Sequence, residues 1–433
     1  MLIATQTPDF EDPPSLNAVT TSLAGPIGGT LFKTFGNPIL LHRLWPEVRQ
    51  RIADTLHQYR TRAELEQKVG ELAVEIYLER LIRAGDDPAW QRDLAPKSRE
   101  VRRRLLERCK AQGGHYAGRL LLYCAHPDFS PEERLVLLLD LFLGCDGSET
   151  LLARRSGFRG AAARGVLALE VAQERHCKLS ALGAAEIQGR MPLLMELLRD
   201  LYHLELASGP SRIPAGKQLG RLALWALDWV HENLPFNERL QALRAEIMLL
   251  EARQRTRWDF LGRPIHLSEQ ERIRWNLGLM RDAESILRSL SRSTRSSREG
   301  LRARIQQVLM DATCWEETDW PLLAFLYRDL EARTGVAGVG VGLAEAQAGL
   351  SPKAALLALE GSRLRLADAR YLAMRGTLLA RLGEVRHALR DLRRAFERTP
   401  LWSCRLALRK QIEGLEELQS NLGWGEPEVA RVE

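Results

Sequence analysis

The chain has 433 residues, of which 45% are hydrophobic and 6% aromatic, and its net charge is +6 at pH 7. Leu, Ala, Arg and Glu dominate the composition, and because these residues favour helices, we expect an all-α protein. No apolar run reaches the ~18 residues that suggest a membrane span, and the N-terminus lacks the features of a signal peptide. We therefore expect a cytoplasmic protein without a membrane partner. The positive charge permits contact with nucleic acid but does not require it.

The sequence offers no constellation for catalysis. Its six cysteines lie far apart with no CxxC pair, which favours reduced, structural thiols over disulfides or a zinc site. No glycine-rich phosphate loop, paired-carboxylate site or metal-ligand cluster is evident. We therefore predict that the protein is not an enzyme and needs neither a metal nor a cofactor.

The N-terminal part begins with residues 1–36, which carry Pro, Gly, Thr and Ser without a period and predict an irregular lead-in. Two helical patterns follow between Pro46 and Arg83, and GDDP at 85–88 ends the second one. That second pattern is amphipathic, with apolar residues on one stripe: Leu65, Val69, Leu72 and Ile76.

A basic segment and a helical joint come next. The segment between Ala89 and Cys109 is the most basic of the N-terminal half, and QGG at 112–114 predicts a short joint after it. An apolar helix then breaks at His126-Pro127. The next helix is predicted to start at Ser130, because this N-cap residue is followed by Pro131 and Glu133.

The rest of the chain reads as helix after helix. Residues 148–176 place two helical stretches around Ser156-Gly157-Phe158, which is the layout of a helix-turn-helix. Residues 368–400 have the spacing of a tetratricopeptide repeat (TPR), carried by Gly376, Leu379, Gly383, Ala388, Leu392, Ala395 and Pro400. Because one such hairpin cannot bury its apolar face alone, neighbouring helices should stack on it.

Three stretches, taken in order, resemble one family. The first is the Leu-rich helix with Cys124 and His126-Pro127 ahead of the Pro-initiated helix. The second, at 252–275, contains Arg257, Asp259, Gly262, Leu267, Gln270-Glu271-Arg272 and Arg274-Trp275. The third, at 305–334, contains Gln306, Thr318-Asp319-Trp320 and Leu326-Tyr327. Over roughly residues 44–415 the chain is similar to the extracytoplasmic-function sigma factors, of the sigma-70 family, that carry a C-terminal TPR-like extension.

The resemblance implies an all-α architecture of three helical parts behind the lead-in. Residues 37–111 would form a sigma region-2-like domain, residues 115–180 a region-4-like helix-turn-helix domain, and residues 181–433 a TPR-like solenoid. The implied partners are RNA polymerase core and promoter DNA, the latter with a partner present. A protein partner would dock on the C-terminal extension.

The same resemblance implies functional residues. Residues 66–82 correspond to the helix that grips the polymerase clamp, with Glu66, Glu71, Glu75 and Glu79 on its polar face. Residues 87–106 correspond to the strand-opening helix that reads the −10 element. The residues expected to contact DNA in both domains are Trp90, Lys97, Arg99, Arg102, Arg103, Arg104, Arg108, Arg159 and Arg164.

Departures from the family pattern leave a second hypothesis open. Gln67 and Gly70 stand where the family has Asp and Gln. Glu170 lies in the second helix of the predicted helix-turn-helix, the one expected to read DNA, where its carboxylate would repel phosphates. The eleven residues from Arg108 to Arg119 span at most ~35–40 Å, whereas two promoter elements ~17 base pairs apart are separated by ~55–60 Å. The alternative is a helical adaptor derived from a sigma factor, which has lost autonomous promoter recognition and is recruited to DNA by a partner.

Overall fold

The computed structural model describes residues 16–35, 39–42, 44–59, 61–84, 88–142, 183–208, 219–234, 236–259, 263–334, 339–361, 368–399 and 402–421. Throughout these ranges the regular structure is helical, with one isolated antiparallel bridge between Trp258 and Pro264. The predicted all-α class is therefore confirmed for the described part of the chain. No helix in these ranges is both long and apolar enough to cross a membrane.

The chain divides into two compact units, residues 1–200 and 201–433. The helices of the first unit are α1 (Leu16–Phe35), α2 (Leu44–Ala53), α3 (Arg62–Ala84), α4 (Pro88–Cys124), α5 (Pro131–Leu137) and most of α6 (Ala184–Ser208). Those of the second unit are α7 (Leu219–Asn233), α8 (Glu238–Ala252), α9 (Leu277–Ser289), α10 (Arg292–Arg295), α11 (Arg298–Asp311), α12 (Trp320–Thr334), α13 (Val339–Ala348), α14 (Pro352–Glu360), α15 (Ala369–Arg381), α16 (Val385–Arg398) and α17 (Trp402–Asn421).

Helix α1 corrects the prediction of an irregular lead-in over residues 1–36, which is wrong for residues 16–35. This helix packs along α4 and also contacts α3. A Cβ atom at Gly29 would lie 2.5 Å from the Tyr116 carbonyl oxygen, so only glycine permits this close approach. Because small residues and threonines are buried around most of α1, no apolar stripe marks it as a helix in the sequence.

Helix α4 corrects a second prediction. It runs without interruption for 37 residues, from Pro88 to Cys124, and therefore passes through the QGG segment at 112–114 that predicted a joint. It begins at Pro88, one residue after the start of the 87–106 segment that the resemblance assigns to a single helix. The boundary proposed between residues 37–111 and 115–180 thus lies within one helix of the first unit.

The local start signal at Ser130 is confirmed. Its hydroxyl accepts a hydrogen bond from the Glu133 amide at 3.3 Å, and the Glu133 carboxylate accepts one from the Ser130 amide at 2.7 Å. This reciprocal capping box begins α5 with Pro131 in its first turn. The helix continues as a π-helical turn, Leu138–Phe142. The helix-turn-helix predicted for 148–176 lies outside the described residues.

In the second unit, helices pack mainly against their neighbours in the chain. Helix α8 contacts α7, α9 and α11, and contacts between successive helices then run from α11 to α17. The hairpin expected at 368–400 is present as α15 and α16, where Gly376 packs against Leu392. Gly383 lies between these helices with a φ of 81°, a conformation that favours glycine.

Candidate functional site

Three of the four acidic residues predicted to bind polymerase share one stripe of α3. Residues four positions apart are neighbours on a helix surface, so the carboxylates of Glu71, Glu75 and Glu79 form what we call the acidic stripe. Glu66 lies five residues before Glu71, and at ~100° per residue it is rotated by ~140° from that position. The structure thus groups three of the predicted carboxylates and separates the fourth.

The carboxylates on this helix have weak local partners. Arg62 pairs with Glu66 at 2.7 Å, Gln67 donates to Glu71 at 3.0 Å, and Arg51 pairs with Glu79 at 3.2 Å. Because such pairs at an accessible surface contribute ~0–1 kcal/mol, a basic partner could replace them at little cost.

Helix α4 carries exposed basic residues in its middle. The members of this basic face are Arg103, Arg104, Arg108 and Lys110. Arg103 pairs with Glu107 at 2.7 Å, and Arg108 donates to the Thr34 hydroxyl at 3.1 Å. The two contacts leave the side chains at the surface, so three of the arginines predicted to contact DNA are accessible.

The other predicted DNA contacts fall outside the described side chains. Trp90, Lys97, Arg99 and Arg102 lie on the backbone of α4, but their side chains are not described. Arg159 and Arg164 belong to the segment outside the described residues. Their roles remain predictions.

The second unit contains a cavity of about 960 Å³ that the sequence did not single out. Its lining comes from the irregular connection between α8 and α9 and from helices α11, α12, α13, α15, α16 and α17. Several residues of the two C-terminal resemblance stretches line it: Arg257, Leu267, Gln270, Gln306, Trp320 and Tyr327.

One side of the cavity is cationic. Arg257 donates to the Tyr202 hydroxyl and the Leu250 carbonyl oxygen, and its guanidinium lies 3.9 Å from the Glu251 carboxylate. Arg253 donates to the Gln306 side chain at 3.3 Å. Among the described residues, the Nε atoms of both arginines are buried without a hydrogen-bond partner.

Burial governs the ionisation of these groups. Removal from water, together with the neighbouring charge of Arg257, lowers the pKa of Arg253 to about 10, so this guanidinium stays charged at neutral pH. Burial also raises the pKa of Glu251, although Arg257 opposes the shift. Tyr327 has its pKa raised by burial and by Glu345, against the effect of Arg253.

Another part of the lining is aromatic and apolar. The Trp315 and Trp320 rings meet edge to face with centroids 4.6 Å apart, and the His266 ring meets Trp315 at 5.4 Å. Leu309 and Leu323 complete the apolar lining beside these rings. The cavity therefore places two guanidinium groups in one space with a hydrocarbon surface.

Several residues of this cavity were not predicted from the sequence. Arg253 and His266 lie in the connection between α8 and α9, Glu345 lies on α13 and Lys410 on α17, and these three segments meet because the helices stack. The available signal was Arg253 and Arg257 themselves, four residues apart directly behind an apolar helix end. Arginines at such a position are seldom buried without a purpose in binding or ion pairing.

Comparison with known proteins defines a family match over part of the chain. Residues 190–291 match DUF6596, a family of unknown function. An uncharacterized protein of Rhizobium meliloti (strain 1021) is 25% identical over 313 residues, which cover 67% of this chain and 69% of that protein. No solved structure matches. The matched segment includes the 252–275 connection that lines the cavity.

Proposed function

We propose that the protein is a cytoplasmic, sigma-like transcription factor that binds RNA polymerase core and helps direct transcription initiation. The observation that carries the proposal is the arrangement of charge in the first unit. The acidic stripe lies on α3, the basic face lies on α4, and these two helices pack against each other. The family resemblance of the sequence points to the same two surfaces.

Charge complementarity gives each surface a role. The acidic stripe would meet a basic surface of the polymerase clamp, which fixes register and speeds association. The basic face would neutralise DNA phosphates, whose contacts position a protein on the duplex without reading its sequence.

The test is co-purification with RNA polymerase core. The double charge reversal Glu71→Lys with Glu75→Lys should reduce the amount of polymerase retained by about tenfold or more, because close charge pairs across an interface can couple by ~1.5 kcal/mol or more. A matched control is Glu413→Lys with Glu417→Lys, which reverses two exposed charges at the same spacing on α17.

Equal retention by the α3 variant and the unaltered protein would refute the docking role of the acidic stripe.

A second experiment tests transcription: the complex of polymerase with the unaltered protein should initiate transcription from a subset of a promoter library. Retention without any promoter-dependent transcript would support the alternative function instead.

The alternative is a helical adaptor derived from a sigma factor and recruited to DNA by a partner. The continuous helix α4 favours it, because eleven helical residues from Arg108 to Arg119 rise only ~17 Å. The two domains are therefore joined by a segment that spans less than an extended linker would, which makes it harder for one chain to contact two promoter elements ~55–60 Å apart. In this alternative, the stacked helices of a TPR-like solenoid would provide the docking surface for the partner.

A further inference from the structure

The cavity of the second unit has the dimensions of a ligand site. Its volume of about 960 Å³ lies near the upper end of the ~300–1,000 Å³ typical of small-molecule pockets. Such pockets combine an apolar lining with a few polar groups that fix the orientation of the ligand. The composition of the lining identifies the chemistry of the ligand.

An anionic ligand fits this cavity because, among the described residues, no carboxylate lies within ion-pair distance of Arg253. Two carboxylates line the cavity, and each has a nearer partner than Arg253: Glu269 pairs with Lys410 at 2.8 Å, and Glu345, which acts on Arg253 only through its charge, lies 3.5 Å from His266 Nε2. Within the described residues, Arg253 contacts the neutral Gln306 amide and leaves Nε without a partner. A guanidinium that is partly removed from water and has no anion beside it is costly, and an incoming anion would relieve that cost.

An apolar ligand body fits because another part of the cavity lining consists of aromatic rings and branched aliphatic side chains. Trp315, Trp320 and Leu323 present hydrocarbon surface to the same space. Covering such surface with an apolar group stabilises a complex because the hydrocarbon is removed from water. A small inorganic anion would satisfy the arginines and leave this wall in contact with water.

We propose that the cavity binds a small amphipathic anion, in which one oxyanion group faces Arg253 and Arg257 and an aromatic or branched apolar body packs on the tryptophan wall. Arg257 is already positioned by Tyr202, Leu250 and Glu251. Arg253 has the greater unused donor capacity and makes the main contact with the anion. This site is independent of polymerase and DNA binding, so it can be tested on the isolated full chain.

Two fluorescent probes test the oxyanion group and the apolar body of the proposed ligand separately. The anionic probe is 8-anilinonaphthalene-1-sulfonate, and the neutral probe is N-phenyl-1-naphthylamine, which has the same ring system without the sulfonate. Fluorescence titration of the full chain should give one saturable site for the anionic probe, with weaker binding of the neutral one.

The variant Arg253→Gln should weaken binding of the anionic probe by about tenfold or more, because a hydrogen bond to a charged group contributes ~1.5–3 kcal/mol. Binding of the neutral probe should change by less than about threefold. Arg255→Gln is the matched control, since Arg255 is an exposed arginine two residues away that does not line the cavity.

A second variant tests the location of the site without altering its charge. Gly414 on α17 lines the cavity, and a Cβ atom there would meet no other atom within 4 Å. Gly414→Phe should therefore occupy part of the cavity and weaken both probes, whereas Gly414→Ala should leave both unchanged. Circular dichroism would establish that each variant keeps its helical content.

Three outcomes would overturn the proposal. The first is equal affinity of the anionic probe for Arg253→Gln and the unaltered chain. The second is equal weakening of both probes by Arg253→Gln, which would show that charge plays no part. The third is unchanged binding of both probes to Gly414→Phe, which would place the probes outside the cavity.

Discussion

At the scale of single residues, the buried ion pair between α15 and α16 makes a prediction about stability. Asp391 is 1% exposed and its carboxylate lies 3.2 Å from the Arg375 guanidinium. Arg375→Met would leave this carboxylate buried with the more distant Arg390, at 3.8 Å. We expect the free energy of unfolding to fall by about 2 kcal/mol or more, measured by urea denaturation.

The exposed pair between Arg393 and Glu416 provides the control for this prediction. It joins α16 to α17 at 2.7 Å, but its side chains are 59% and 44% exposed. Arg393→Met should therefore cost less than about 1 kcal/mol. A double variant, Arg375→Met with Asp391→Leu, should be more stable than Arg375→Met alone, and a less stable double variant would contradict the assignment of the cost to the buried charge.

The contacts of a single residue could be predicted from the sequence where they depend only on residues a few positions away. The capping box needs only Ser130 and Glu133, three positions apart, so its sequence signature is sufficient. It failed for Arg253, whose environment comes from residues as far along the chain as Lys410 and Gln411. No local pattern records that such segments will share a cavity.

At the scale of elements, Glu47 joins two helices and makes stability depend on pH. Its carboxylate contacts Arg80 of α3 at 2.5 Å and Arg51 of α2 at 2.7 Å. Burial raises the pKa of Glu47, but the hydrogen bonds and charges of Arg80 and Arg51 outweigh this effect and lower the pKa below its ordinary value of 4.5. A lowered carboxylate pKa stabilises the fold above pH 4.5, and the contribution is lost as pH falls through the folded-state pKa.

We therefore expect Glu47→Gln to lower the free energy of unfolding at pH 7. The difference from the unaltered chain should shrink as the pH falls below 4.5, because the native carboxylate then also loses its charge. Urea denaturation over a series of pH values measures this effect. Glu413→Gln, at an exposed position, is the control, and a constant difference at every pH would contradict an electrostatic origin.

The helices themselves were predictable to different degrees. Helix α3 was predicted because Leu65, Val69 and Ile76 repeat at helical spacing and are all buried. Helix α1 was missed because its burial depends on glycines that fit against α4, which is a tertiary property. The uninterrupted course of α4 was missed for a related reason, since glycines favour a break in an isolated chain but are tolerated in a packed helix.

At the scale of the whole molecule, the basic face and the adjacent Arg102, also predicted to contact DNA, predict how DNA affinity responds to salt. With polymerase or another partner present, the triple variant Arg102→Ala, Arg103→Ala and Arg104→Ala should flatten the salt dependence of DNA binding by about two to three units, because each neutralised phosphate adds close to one unit. Measuring the dissociation constant over a range of salt concentrations tests this expectation.

A control variant that loses the same amount of charge elsewhere shows whether the change in salt dependence comes from local phosphate contacts or from the net charge of the protein. Arg386→Ala, Arg390→Ala and Arg394→Ala remove three exposed arginines from α16 in the second unit, and this variant should keep the original salt slope. We also expect Arg164→Ala to change sequence preference little. Loss of recognition of a defined upstream element in Arg164→Ala, with normal DNA binding by the α4 triple variant, would contradict the assignment and weaken the adaptor alternative.

Because α4 is continuous through residues 112–114, the helical segments before and after this point have a fixed rotation relative to each other about the helix axis. A flexible joint absorbs one added or lost residue with little effect on the segment behind it. In a helix, the same change turns every later residue by ~100° and moves it by ~1.5 Å along the axis. The packing surface of α4 before Gly113 and the one after Gly114 therefore keep a fixed orientation relative to each other. A relative that keeps this helix can gain or lose a residue here only if the residues on both surfaces change as well.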